Sequence, residues 1–395
     1  MINNDNLRRK NTVFATELFY LGFIILLSAL TLSHTIFIDF FPNRIVLLIR
    51  IFSYIILTSF ILINSKAYSF SLKKIILYVA FVTLSLISFY YSHAYYILDL
   101  LFLGTAAAKI DFRDVIKVYL IIQISITLVT IFGDLSGALT QQDFGFRTNL
   151  FGDTICRRSL GFLYTTLGVQ IFFYCNLAYW YLRRQLIGAL DICFILIVNI
   201  FFYNETGTRN AFLLIMIEIV ILIVLRFKGP KLLGIFLNHK SFKYIFLIIF
   251  ALSYYLGANY DGSRTFYVML NSIVSGRLRL TRMAFDMFPA KLFGNDLYAQ
   301  YQNYLTAFNI SAPKSFLDSS YMQLFFNTGI VYTISFLLLL TWLFGKAIES
   351  KDFYLVIILL FIAIQSSMDP QLFEFSYNIF ILLIFRFFFS DKLVS

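Results

Sequence analysis

The sequence predicts an all-α, polytopic integral membrane protein with about twelve transmembrane helices. Three observations carry this reading. Of 395 residues, 60% are hydrophobic and only 13% charged, whereas a soluble domain has roughly 25% charged and 45–50% apolar residues. Apolar runs close to the bilayer-crossing length of about 20 residues alternate with polar connections from end to end. Basic residues fall unevenly on alternate connections, as the orientation rule for membrane helices demands. No soluble catalytic domain fits in what remains, and 1–395 reads as a single membrane domain.

The polar, basic stretch from Met1 to Lys10 precedes the first apolar run without a small-residue cleavage site, so the first helix is retained. Spans follow at 13–33, 45–64, 75–92, 94–108, 115–133, 159–182, 186–203, 211–225, 244–258, 320–344, 353–368 and 376–389. The third and fourth meet at a short hinge, Ser92-His93. With both termini cytoplasmic, 20 of the 32 basic residues lie inside. The formal charge of +11 is therefore mainly a topology signal, and no nucleic-acid partner is called for. Cys156, Cys175 and Cys193 lack paired spacing, and His34, His93 and His239 are far apart, so neither a disulfide framework nor a metal site is expected.

The twelve basic residues at the outer face include ten arginines, against seven among the twenty inside. Topology needs only positive charge, but the planar fork of Arg suits carboxylate or phosphate held bidentately. An anionic ligand at the outer face is implied. The plainer alternative is pairing with Asp134, Asp143, Asp153, Asp261, Asp286 and Asp296.

Two outer segments are too long for simple turns. One runs from Asp134 to Arg158; the other, 259–319, is a large extracytoplasmic loop expected to contain short helices, with aromatics scattered through it. Within it, Ser275-Gly276-Arg277 opens a helical pattern with Leu280, Met283, Ala284 and Met287 on one face and Arg279, Arg282 and Asp286 on the other. Arg277 falls in the first turn, where free backbone N–H groups favour an anion. A second candidate is the polar knot Asn204 to Asn210, which carries Glu205 and Arg209 between two apolar runs. A third is Asp318, placed as an N-cap residue before a span whose Ser320, Gln323 and Asn327 share a face. Asp369, Glu374, Asp99 and Glu218 are lesser candidates.

The order of motifs is Thr206-Gly207-Thr208-Arg209 after a mid-chain span, then Ser275-Gly276-Arg277 and Leu292-Phe293-Gly294 in the large loop. Asp318-Ser319-Ser320-Tyr321 and Asn327-Thr328-Gly329 complete it. In this the chain resembles the bacterial lipid-linked polysaccharide polymerase and O-antigen ligase superfamily, most closely the Wzy-type polymerases, over about Arg157 to Leu343. Ligases of the superfamily place a histidine near the loop's end. Here the loop has none and Asp318 stands in that neighbourhood, which favours a polymerase.

The resemblance implies a glycosyltransferase without cofactor or metal at the outer face of the bacterial cytoplasmic membrane, serving O-antigen or capsule synthesis. It would move a growing glycan from undecaprenyl pyrophosphate onto the non-reducing end of a lipid-linked repeat unit, among membrane lipids and with a chain-length regulator as a further partner. Asp318, Arg209 and Arg277 would be catalytic. Arg147, Arg157, Arg158, Arg279, Arg282, Glu205 and Tyr321 would bind pyrophosphate and glycan. The rival readings are a flippase for the same lipid, which would show internal repeats not seen here, an O-antigen ligase, and a histidine-dependent acyltransferase.

Overall fold

The computed structural model describes residues 2–41, 43–65, 68, 71–140, 142–148, 152, 154–228, 239–307 and 317–389. Residues 308–316 of the large loop, and Asp153, lie outside the described residues. Helices α1 (Ile2–Leu32), α2 (Asn43–Ile63), α3 (Leu72–Ser92), α4 (Tyr95–Ala107) and α5 (Phe112–Leu135) precede a hairpin of β1 (Asp143–Thr148) and β2 (Thr154–Arg158). Then come α6 (Leu167–Arg183), α7 (Ala189–Thr206), α8 (Arg209–Lys228) and α9 (Ile245–Ala258). The large loop holds α10 (Thr265–Ile273), α11 (Arg277–Met287) and α12 (Leu297–Ala307). The chain closes with α13 (Ser320–Thr328), α14 (Ile330–Glu349), α15 (Phe353–Gln365), a 3-10 segment at Ile379–Phe385 and α16 (Arg386–Phe389).

Among the described residues, seven helical stretches are long and apolar enough to cross a membrane: Phe14–Leu32, Arg44–Ile63, Leu72–Ser92, Phe112–Leu135, Ala189–Thr206, Lys240–Ala258 and Ile330–Glu349. The apolar helices Tyr95–Ala107, Phe353–Gln365 and Ile379–Phe389 are shorter. Several long helices turn large apolar side chains outward, such as Leu48, Phe52 and Ile55 on α2, or Ile248, Leu252 and Tyr255 on α9. Water would not tolerate apolar surface on this scale; hydrocarbon does, because every helical N–H and C=O is satisfied within its own segment.

The centre of the bundle is formed by α15 and the last apolar stretch, Ile379–Phe389. Phe361, Ile362, Phe380, Leu382 and Phe385 are buried there among the other helices. Close approach rather than bulk makes this packing: a Cβ on Gly104 of α4 would lie 2.2 Å from the ring of Phe385.

Polar connections gather at two ends. At one, Ile36 N–H donates to Gly161 O (2.9 Å) and Asn295 N–H to Asn327 O (2.9 Å), while His93 meets Asp296 at 3.1 Å. At the other, Arg113 donates to Leu182 O (3.1 Å), Arg386 to Ile110 O (2.9 Å) and Arg184 to Asp352 (2.8 Å).

Most expected boundaries hold to within a few residues, and the hinge between α3 and α4 falls at His93, in a left-handed conformation (φ 52°). Four details differ. The segment after α5, expected at the outer face, contains a two-stranded antiparallel sheet, so the fold is not purely helical. The span expected from residue 159 becomes helical only at Leu167, because Leu160 and Gly161 take left-handed conformations (φ 55° and 81°) and the chain pairs with Thr35 through Phe162. The span expected over 320–344 breaks at Gly329 (φ 89°). On α11 the buried face is Leu278, Thr281 and Ala284, with Met283 exposed, because Thr281 seats against Gly257 of α9.

Candidate functional site

Strand periodicity sets the first part of the site. Arg147 on β1 lies opposite Ile155 on β2, and Arg157 follows two residues on, so all three side chains share one face of the hairpin. That face meets the turn between α7 and α8, where Gly207 (φ 63°) caps α7. Arg147 donates to Gly207 O at 3.4 Å and Arg157 to Thr206 O at 2.9 Å and to the Thr165 hydroxyl. From the turn, Arg209 reaches back to Thr148 O. Hairpin and turn are thus clasped by three guanidiniums holding neutral oxygens.

Like charges crowd there. Burial lowers the pKa of Arg147, and the neighbouring Arg209, Arg157 and Arg277 lower it further. Among the described residues, no carboxylate pairs with Arg147, Arg157 or Arg209 in an ion pair. The Nε of Arg209 is buried without a hydrogen-bond partner there. A guanidinium has five N–H donors, and these three spend few of them on protein. Among the described residues, the arrangement is one of unneutralised positive charge with donors to spare.

Arg277 brings the large loop to the same place. Gly276, in the left-handed region (φ 88°), turns the chain into α11. The Arg277 side chain then donates to Met368 O, to Val274 O (3.2 Å) and to Asp369 Oδ1 (3.2 Å). Its Nη2 lies 3.9 Å from Asp318 Oδ2. With its carboxamide oxygen turned inward, Asn210 accepts from both Arg277 terminal nitrogens at 3.2 Å, joining the loop to the residue after Arg209.

Two carboxylates border this cluster and differ in access. Asp318 is 42% exposed and Asp369 only 6%. Asp369 is held on its other oxygen by Gln365 (2.7 Å), and Ser320 donates to its carbonyl (2.5 Å). Burial pushes the Asp369 carboxyl up to about 6, with Arg277 opposing the rise and Asp318 adding to it. Burial also raises Asp318, again opposed by Arg277.

The remaining sequence candidates are placed elsewhere or differently. Arg158, next in β2 and on the opposite face, is paired with Asp134 (3.2 Å) and Glu205 (3.3 Å). Arg282 pairs with Asp286 (2.8 Å) on the surface of α11, and the Arg279 side chain is exposed there. Tyr321 is fully buried, its hydroxyl on Ala363 O (2.9 Å), and presents no face to a ligand. Asp318 is not the N-cap of α13. That position is Ser319, which makes no side-chain cap, and this leaves the Asp318 carboxylate turned to Arg277. Pairing with nearby acids, the plainer alternative, thus accounts for Arg158, Arg264 (with Asp261, 3.2 Å) and Arg282, but among the described residues not for the central three; Asp153 and the Asp143 side chain lie outside the described residues.

Sequence reasoning gave Asp369 little weight, had Asn210 only as the end of the polar knot, and missed Thr165 and Gln365. Asn210 and Asp369 each sit in a polar interruption beside an apolar run, which was the only available signal. Leu292-Phe293-Gly294 and Asn327-Thr328-Gly329 prove to be partners. Ile330 and Val331 N–H donate to Lys291 O (3.0 Å) and Leu292 O (3.1 Å), so the loop satisfies backbone groups freed by the break at Gly329. No protein-family model, curated protein or solved structure matches this chain.

Proposed function

We propose that the protein is a lipid-linked glycan polymerase whose arginine cluster holds pyrophosphate at the outer face of a bacterial cytoplasmic membrane. The observation that carries this is the convergence of Arg147, Arg157 and Arg209, unpaired with any described carboxylate, on Arg277 and two carboxylates at one end of an apolar bundle. A pyrophosphate diester brings the negative charge the cluster lacks. A twelve-span topology with both termini cytoplasmic, as the sequence predicts, would put this end outside.

The chemistry follows from the residues. The acceptor sugar hydroxyl attacks the anomeric carbon of the donor glycan, and the bond from that carbon to the pyrophosphate oxygen breaks. The hydroxyl proton passes to a carboxylate, and undecaprenyl pyrophosphate leaves with its new charge held by arginine N–H groups. Asp318, the more exposed carboxylate, is the base. Asp369 is a positioning residue that fixes Arg277.

Purified protein in nanodiscs, given lipid-pyrophosphate-linked repeat units alone, should build a glycan ladder, and Arg209→Ala and Arg277→Ala should abolish it. Protein-dependent movement of the lipid between leaflets with no ladder would overturn the polymerase in favour of a flippase.

A further inference from the structure

A separate cavity opens beside α13. It has a volume of about 400 Å³ and is lined by Tyr96, Tyr298, Tyr301, Asp296, Gln323 and Asn327, with His93 and Leu317. Two features set it apart from a packing defect. Helix α13 is buried at Ser320, Tyr321, Met322, Leu324, Phe325, Phe326 and Thr328, and its two half-open positions, Gln323 and Asn327, are amides one helical turn apart that both face the cavity. Opposite them Tyr298 leaves 60% of its surface exposed, while Asp296, braced by His93 at 3.1 Å, brings a carboxylate. Asn327 also donates to the Tyr96 hydroxyl at 3.0 Å, which fixes one wall.

Exposed aromatic surface with amides and a carboxylate, and no unpaired cation among the described lining residues, is chemistry for a neutral polyhydroxylated ring. Apolar C–H faces lie on the aromatic, and hydroxyls are shared between amide donors and acceptor oxygens. The volume falls within the range of small-molecule sites. Location fits the reaction. Leu317 lines the cavity and its neighbour Asp318 approaches Arg277, so one wall separates the two. Gln323 is in the first turn of α13, which begins two residues after Asp318.

We propose that this cavity is the acceptor subsite, binding the non-reducing sugars of the incoming repeat unit without contacting its pyrophosphate. This rests on the polymerase reading for the direction of transfer, but the binding itself can be tested apart from it. The probe is the free oligosaccharide released by mild acid from the lipid-linked repeat units of the same cells, so that no phosphate remains. Its binding to protein in nanodiscs is followed by saturation-transfer NMR.

Wild-type protein should transfer saturation to the glycan. Tyr298→Ala and Gln323→Ala should each weaken binding about tenfold, Tyr298→Phe should preserve it, and neither Arg277→Ala nor added inorganic pyrophosphate should affect it. Loss of binding in Arg277→Ala, or displacement by pyrophosphate, would overturn the proposal by placing the glycan on the arginines. A wild-type protein that builds ladders yet shows no glycan transfer, or binding untouched by Tyr298→Ala and Gln323→Ala, would also overturn it. Glycan binding with the expected variant pattern but no ladder would leave the subsite standing and remove the polymerase.

Discussion

The joint between Gly294 and Gly329 gives the most direct quantitative prediction. A Cβ on Gly329 would lie 2.3 Å from Gly294 N, and one on Gly294 would lie 2.2 Å from Asn327 O, both backbone atoms that cannot turn aside. Gly329 also has φ 89° with ψ 165°, a region essentially restricted to glycine that costs other residues about 1–3 kcal/mol. Forcing a methyl group into the contact adds about 1–3 kcal/mol. Gly329→Ala should therefore destabilise the protein by about 2–6 kcal/mol. Two other glycines calibrate the series. Gly276 has φ 88° but open space around it, so Gly276→Ala should cost only the backbone term of about 1–2 kcal/mol. Gly262 has neither a left-handed φ nor a contact closer than 3.8 Å, and Gly262→Ala should be neutral. Thermal unfolding in detergent, followed by intrinsic fluorescence, reads the series, and limited proteolysis of the large loop reports whether its seat on the α13–α14 break has been lost. If Gly329→Ala melts together with Gly262→Ala, the loop is not docked through this contact and the geometry of Arg277 and Asp318 derived from it fails as well.

Other outcomes follow from the charges. Arg147→Gln removes one of several mutually repelling guanidiniums, so stability should hold or rise while kcat/KM falls about 10–100-fold; a drop in both would mean that the residue serves the fold alone. Arg158→Ala leaves buried Asp134 without its guanidinium and should cost about 2 kcal/mol in thermal unfolding, part of it recovered by adding Asp134→Asn; full additivity of the two changes would refute the pairing. Ladder synthesis should fall as pH drops, because the base must be ionised and burial raises both carboxyls; a rate that climbs on acidification would exclude a carboxylate base. Folded Asp369 keeps its proton to about pH 6, whereas an unfolded Asp loses it near pH ~4. Stability from this group is thus full below pH ~4 and lost as pH rises towards 6. Asp369→Asn should accordingly gain on wild type between pH 5 and 8 by on the order of 2 kcal/mol at most; a constant difference across that interval would show that Asp369 titrates normally.

Membrane character and most helix boundaries were legible because hydrocarbon imposes a single long-range rule, apolar length, on every span. The excess of arginine on the connections expected to lie outside stood out for a related reason: topology needs charge but does not choose between Lys and Arg. What a sequence does not display is which arginines are neutralised. Arg157 and Arg158 are adjacent and look alike, yet the two faces of one strand send the first to the Thr206 carbonyl and the Thr165 hydroxyl and the second to Asp134 and Glu205. The hairpin escaped notice because Asp143 to Thr148 has little alternation to mark a strand, and its register shifts between Asp143 and Phe146. The break at Gly329 was hidden within an apolar run, since its cause is Gly294, 35 residues earlier in the sequence and in direct contact in the fold.

The same distinction between paired and unpaired charge decides the roles of the two carboxylates. Asp369 is the closer partner of Arg277, and its second oxygen is taken by Gln365. Removing it from those bonds to accept a substrate proton would strand Arg277 and a buried glutamine at once. Asp318 stands 3.9 Å from the same guanidinium, beyond a hydrogen bond, and keeps two-fifths of its surface open. It can accept a proton without breaking any bond, and when it does Arg277 keeps Asp369. A base that sits beside the arginine but is not held by it can become neutral while the arginine's orientation is unchanged. That is what the proposed transfer would require, since the hydroxyl proton would arrive at the moment the leaving pyrophosphate needs the guanidinium most.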